Sequence, residues 1–103
     1  MSVTKVIRYK TKPECAEENE RLIRAVFAEL AAENPEGLRY ESFRGEDGVS
    51  FLHVAVLDDG GHNPLLETAA FGEFVSEIAG RCAEAPVTTD AKIVGSYRLV
   101  PGD

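Results

Sequence analysis

The sequence predicts an α+β domain, a four-stranded antiparallel sheet with two helices on one face, built in the order β-α-β-β-α-β. Three observations carry this. Stretches near residues 3–11, 38–44, 49–57 and 87–100 have strand character, with side chains sorted by parity. Two longer stretches between them repeat apolar residues at three- and four-residue spacing, the mark of a helix with one buried face. The middle two strands are joined by Gly45-Glu46-Asp47-Gly48, short enough and rich enough in glycine for a hairpin.

In chain order, Val3, Ile7 and Tyr9 share one parity of the first strand, with Val6 on the other and Lys5, Arg8 and Lys10 among them. Pro13 opens the first helix, where a missing N–H costs nothing. Glu14, Glu17 and Glu18 crowd its first turn, where the helix dipole favours negative charge. Ile23, Val26, Phe27, Leu30 and Ala31 form its apolar face, and Asn34-Pro35-Glu36-Gly37 stops it. The second strand is Leu38 to Arg44 and the third Val49 to Leu57. Asp58-Asp59-Gly60-Gly61-His62 is a polar break, and Asn63-Pro64 has the form of an N-cap followed by proline at N1. Leu66, Ala70, Phe71, Phe74, Val75 and Ile78 mark the second helix, which Gly72 loosens and Cys82 closes. The last strand is expected from Val87 to Val100, bent or broken near Asp90 or Gly95, with Pro101-Gly102-Asp103 as a tail. No linker divides the chain, so residues 1–103 read as one domain.

Two strand-helix-strand units joined by a hairpin give the ferredoxin-like split β-α-β arrangement. Right-handed crossovers put both helices on the same side of the sheet. The third strand is apolar on both faces: Phe51, Ala55 and Leu57 point one way, Leu52, Val54 and Val56 the other. The helices cover one set. Leaving the other in water forfeits roughly 1.5–3 kcal/mol per large side chain. The natural cover is a second copy stacked face to face, a homodimer. The competing arrangement has the last strand or the tail folding over the bare face.

Composition narrows the function classes. Eighteen acidic against eleven basic residues leave a net charge of −7, which repels phosphate backbones and anionic membrane surfaces. No apolar run is long enough to span a bilayer, and Met1-Ser2-Val3-Thr4-Lys5 lacks the apolar core of a signal peptide, so a cytoplasmic protein is expected. Cys15 and Cys82 show no zinc spacing. They fall at the same end of the helical layer, where a disulfide is thinkable but cytosolic redox opposes it.

The residues that can carry chemistry are few. His53, mid-strand among apolar neighbours, is the candidate catalytic base for a phenol or quinol, against the alternative of a structural histidine. Tyr40 and Tyr97, with Tyr9 on a further strand, can line an aromatic pocket and hold a substrate hydroxyl, and Phe71 and Phe74 can floor it; each is also an ordinary sheet or core residue. Arg39 and Arg98 can anchor an anion, or simply face solvent. Asp58, Asp59 and His62 share a glycine loop without the convergent geometry a metal requires, so no metal is expected there. No Ser-His-Asp constellation or phosphate-cradling loop is present.

Several segments together resemble the antibiotic biosynthesis monooxygenase family, the dimeric α/β-barrel proteins. They are the Lys12-Pro13 exit from strand one before a long acidic helix, the Asn34-Pro35-Glu36-Gly37-Leu38-Arg39-Tyr40-Glu41 entry to strand two, the run Leu66 to Val75 on helix two, and Val94-Gly95-Ser96-Tyr97-Arg98 near the C-terminus. The resemblance covers nearly the whole chain and implies a pocket between sheet and helices. It also implies, for some members, oxidation of aromatic polyketides or quinols by molecular oxygen without metal or flavin. Other members degrade haem. Those carry an asparagine on strand one, a tryptophan, and a histidine on helix two. Here strand one has no asparagine, the chain has no tryptophan, and Glu67 and Ala70 stand where such histidines fall, so haem is not expected. Two readings follow: a monooxygenase-like enzyme needing no cofactor, with His53 as base and Tyr40, Tyr97, Phe71 and Phe74 lining the pocket, or a non-catalytic ligand-binding or accessory protein of the same fold.

Overall fold

A computed structural model of the chain describes residues 2–60 and 62–97. Its elements are β1 (Val3–Thr11), a 3-10 turn (Pro13–Cys15), α1 (Ala16–Glu33), β2 (Leu38–Arg44), β3 (Ser50–Leu57), a second 3-10 turn (Pro64–Glu67), α2 (Ala69–Ser76), α3 (Ile78–Arg81) and β4 (Cys82–Ala91). The strands form one antiparallel sheet in the order β2-β3-β1-β4. Each crossover helix therefore bridges two strands with a third between them, the α+β, ferredoxin-like order expected from the sequence.

The local stops and starts have visible causes. Asn34 takes the left-handed conformation (φ 47°) and its N–H donates to Leu30 O at 2.7 Å, ending α1. Asp47 Oδ1 accepts from the N–H groups of Val49 and Ser50 at 3.0 and 2.9 Å, and Gly48 at φ +79° completes the hairpin turn. Asn63 does cap with its side chain, accepting from Leu65 N–H, and Pro64 follows at N1, but the helix so capped is only one 3-10 turn. The second helix proper starts at Ala69 with Thr68 as N-cap, and Glu29 of α1 accepts from the N–H groups of Ala69 and Ala70 at 3.2 and 2.8 Å. That helix runs through Gly72 unbroken and is interrupted instead at Glu77.

The C-terminal third differs most from the sequence expectation. β4 begins at Cys82, so Cys82 opens a strand rather than closing a helix, and the strand ends at Ala91. Residues 82–85 (Cys-Ala-Glu-Ala) have helical composition, but pairing of Cys82 with Thr11 and Glu84 with Lys10 overrides that preference. Pro86 is tolerated because β4 is an edge strand. The register shifts there, with Arg8 opposite Val87 and Lys10 opposite Glu84, so an extra β4 residue bulges past Pro86. Residues 92–97 are not strand, and the expected continuation through Arg98 to Val100, with the tail beyond, lies outside the described residues.

The core lies between sheet and helices: Tyr9, Phe51 and Ala55 from the sheet meet Leu22, Ile23 and Val26 of α1, Leu65, and Phe74 of α2. On the other side no helix or second sheet packs among the described residues. Val56 pairs with Thr4 and Arg39, Val54 with Val6 and Glu41, and Leu52 with Arg8 and Phe43, so one parity of all three strands faces away from the helices. Phe43 and Val87 are exposed there. Residues 92–96 border this face, enclosing with Arg39, Phe43, Val54 and Val56 a groove of about 530 Å³. The face is covered only in part: Val56 is 8% exposed, whereas Phe43 and Val87 are 44% and 56% exposed.

Candidate functional site

His53 is placed by β3 on the helix-facing parity, opposite Ile7 of β1 and Ser42 of β2, and is 2% exposed. Its ring lies between those of Tyr9, Tyr40 and Phe74, at centroid distances of 5.4, 5.8 and 5.6 Å. Both ring nitrogens are engaged. Tyr9 Oη stands 2.8 Å from Nε2, while Tyr40 Oη and Ser42 Oγ each stand 2.7 Å from Nδ1. Burial lowers the imidazole pKa to about 4, because charging the ring would require a solvation that this position does not supply. His53 is therefore neutral at physiological pH.

The network continues away from the imidazole. Asn19 of α1, fully buried, donates from Nδ2 to Tyr9 Oη at 2.8 Å. Arg81, the last residue of α3 and also buried, donates from Nε to Asn19 Oδ1 at 3.0 Å and from Nη2 to the Phe74 carbonyl at 2.6 Å. Its guanidinium carbon lies 5.2 Å from the centre of the Phe74 ring. Among the described residues no carboxylate comes within 4 Å of Arg81. Burial raises the phenol pKa values of Tyr9 and Tyr40, the latter to about 12, so both stay protonated.

The network meets solvent along the seam between α1 and β2. Ser42 lines a cleft of about 540 Å³ with Ile23, Phe27, Phe43 and Phe51, rimmed by Glu20, Arg24 and Arg44. Tyr40 lines a second cleft, of about 290 Å³, with Leu30, Ala31, Pro35 and Leu38. Phe27 lines both and stacks on Tyr40 at 5.0 Å. Ser42 and Tyr40, whose hydroxyls are bonded to His53 Nδ1, thus each line a pocket, and the larger has the size and aromatic lining of a small-molecule site.

Of the residues singled out from the sequence, His53, Tyr40 and Phe74 come together here, with Phe71 in the next layer, 6.1 Å from Phe74. Tyr97 does not join them. It is not on a strand but in the segment beyond β4, 81% exposed, so alternation along a strand that ends at Ala91 could not place it in the pocket. Arg39 lies on the open face, and Arg98 lies outside the described residues. His62 Nε2 is 3.1 Å from Glu67 on the surface, and among the described residues no group of three His, Cys, Asp or Glu stands close enough to hold a metal. Cys15 and Cys82 are free thiols on either side of the junction where Lys12 N–H donates to Arg81 O at 2.8 Å. Sequence reading missed Asn19, Ser42 and Arg81. Asn19 was detectable as the polar member of the stripe Ala16-Asn19-Ile23-Val26, and Ser42 by its parity with Leu38 and Tyr40; nothing marked Arg81.

No family model matches the chain, and no curated protein matches it. Solved structures do. SnoaB, a cofactor-independent oxygenase from Streptomyces nogalater, in a mutant form, superposes with a TM-score of 0.68 at 18% identity, over 92% of this chain and 95% of that one. An antibiotic biosynthesis monooxygenase gives 0.66 at 17%, over 90% and 99%. Rv0793 from Mycobacterium tuberculosis gives 0.70 at 14%, over 93% and 98%. The chain has the fold of the antibiotic biosynthesis monooxygenases, an antiparallel sheet with its helices on one side. At these identities the likeness is one of fold.

Proposed function

We propose that this protein is a cofactor-independent oxygenase of small aromatic or quinol substrates, acting as a homodimer closed through the open sheet face. The observation that carries this reading is the seam itself: an aromatic cleft of substrate size whose wall, Ser42, is bonded to a buried neutral imidazole. Oxygen chemistry without a cofactor requires an electron-rich carbanion or enolate, and so a group that manages one substrate proton or the negative charge it leaves behind. His53, with Tyr40 and Ser42, is that group. Phe74 holds the imidazole from α2, with Phe71 behind it. For a methylene ketone of the anthrone type the reaction balances without a reductant: R₂CH₂ + O₂ gives R₂C=O + H₂O. The dimer is supported by the exposed Phe43 and Val87 and the half-buried Leu52 and Val54, which a second sheet would bury.

A second reading has its own observation. With both nitrogens bonded to protein groups at 2% exposure, His53 satisfies the description of a structural histidine, and the clefts would then bind a ligand without transforming it. Aerobic incubation with a panel of anthrones and hydroquinones separates the two. The oxygenase reading expects quinone formation and oxygen uptake above the buffer blank, reduced roughly a hundredfold or more in His53→Ala. Turnover equal in the two proteins removes His53 from the chemistry. No turnover in either leaves the binding reading.

A further inference from the structure

The hydrogen bonds through the core have a direction, and the direction is set at Arg81. A guanidinium only donates. Its Nε–H to Asn19 therefore fixes the amide with Oδ1 toward Arg81 and Nδ2 toward Tyr9. Tyr9 Oη thus accepts from Asn19, and its own hydrogen has one acceptor within reach, Nε2 of His53 at 2.8 Å. Turned elsewhere, that buried O–H would go unsatisfied, which a buried donor does not tolerate without loss. An imidazole that accepts at Nε2 and is neutral carries its proton on Nδ1. Nδ1–H then donates to Ser42 or Tyr40. A protonated Nδ1 cannot accept, and two hydroxyls cannot donate to each other at once, so at least one hydroxyl hydrogen is left over by this cluster, and the residues that carry the hydroxyls line the clefts.

We propose that Arg81 and Asn19 are positioning residues that fix His53 as a hydrogen-bond donor toward the α1–β2 clefts, so that the group seated there is an oxygen acceptor, a carbonyl or ionised phenol, rather than a neutral phenol surrendering its proton to His53. The substrate side of this rests on the oxygenase reading; the direction of the chain does not. A hydroxyl that accepts the imidazole N–H and turns its own hydrogen to a carbonyl oxygen stabilises the enolate that develops there, and a ring whose pKa is pushed far below 7 stays neutral behind it.

The test is the tautomer, read by long-range ¹H–¹⁵N NMR at pH 7.5 in a His62→Gln background that leaves His53 as the one imidazole. The expected result is a pyrrole-type Nδ1 and a pyridine-type Nε2. Asn19→Asp is nearly isosteric and reverses the chain. Its carboxylate only accepts, so it pairs with Arg81 and takes the Tyr9 hydrogen. Tyr9 Oη must then accept from His53, and the imidazole becomes the Nε2–H tautomer. Nε2–H in the unsubstituted chain, or the same tautomer in both proteins, overturns the proposal. If Asn19→Asp does not fold, as judged by circular dichroism, the pattern at Asn19 alone decides. Because no substrate is present, an inactive chain can still pass this test, and an active one with Nε2–H loses the direction while keeping the oxygenase reading.

Discussion

Between about pH 6.5 and 4, one buried residue should make the fold sensitive to acid. His53 has a folded-state pKa of about 4 against an ordinary value of 6.5. Above pH 7 the imidazole is neutral in both folded and unfolded chains and contributes no pH dependence. As pH falls through 6.5 the unfolded chain takes up a proton that the folded chain refuses. The unfolded state is thereby stabilised, and folding stability drops by up to about 1.36 kcal/mol per pH unit. The loss ends near pH 4, where the folded form also protonates. Across that window it amounts to about 3 kcal/mol, a large part of a small domain's total. The assay is urea unfolding at one fixed chain concentration at pH 7.5, 6.5, 5.5 and 4.5, for the parent and His53→Gln. The two proteins differ at this one position, so the difference between their profiles isolates His53. The variant should be the less stable at neutral pH, and the gap should shrink or invert as the solution is acidified. Parallel profiles would show that His53 titrates normally in the folded chain, and the buried neutral imidazole would have to be abandoned.

Two further outcomes follow from packing. Val54→Asp on the open face should leave the fold intact by circular dichroism yet give single chains of 11.2 kDa by sedimentation, where the parent gives twice that mass; a parent of 11.2 kDa would remove the dimer. Phe74→Ala takes a buried ring from between Tyr9, His53 and Arg81 and should cost roughly 3–5 kcal/mol in denaturant unfolding, whereas a loss under about 1 kcal/mol would mean the cluster closes over the gap.

Backbone patterning was legible where local chemistry and tertiary pairing agree. The acidic first turn, the Asn34-Pro35-Glu36-Gly37 stop and the Gly45–Gly48 hairpin loop each fix a boundary through the residues that occupy it. β4 was misread because its opening residues favour helix, and only their pairing with Thr11 and Lys10 makes them strand. The site was half legible. Alternation places His53, Tyr40 and Ser42 on one face, because parity is a property of a single strand. The bonds joining β1, α1 and α3 are not. Tyr9, Asn19 and Arg81 are ten and sixty-two residues apart along the chain, and nothing in their spacing shows that they touch.

The open face and the clefts also share a wall, which ties assembly to chemistry. Phe43, 44% exposed, borders both the groove over Val54 and Val56 and the α1–β2 cleft that Ser42 opens. It sits at the end of an edge strand, where a single sheet gives it support from one neighbour, Leu52. A second chain stacked on the open face would press on that side chain and so set the mouth of the cleft, without touching His53. The imidazole, by contrast, is held from the opposite side, through Tyr9, Asn19 and Arg81, by elements that no partner on the open face would reach. Polarity at the site is therefore a property of the single chain, and in the proposed dimer access to it would be a property of the pair. On this division, dissociating the dimer should weaken ligand binding while leaving the His53 tautomer unchanged.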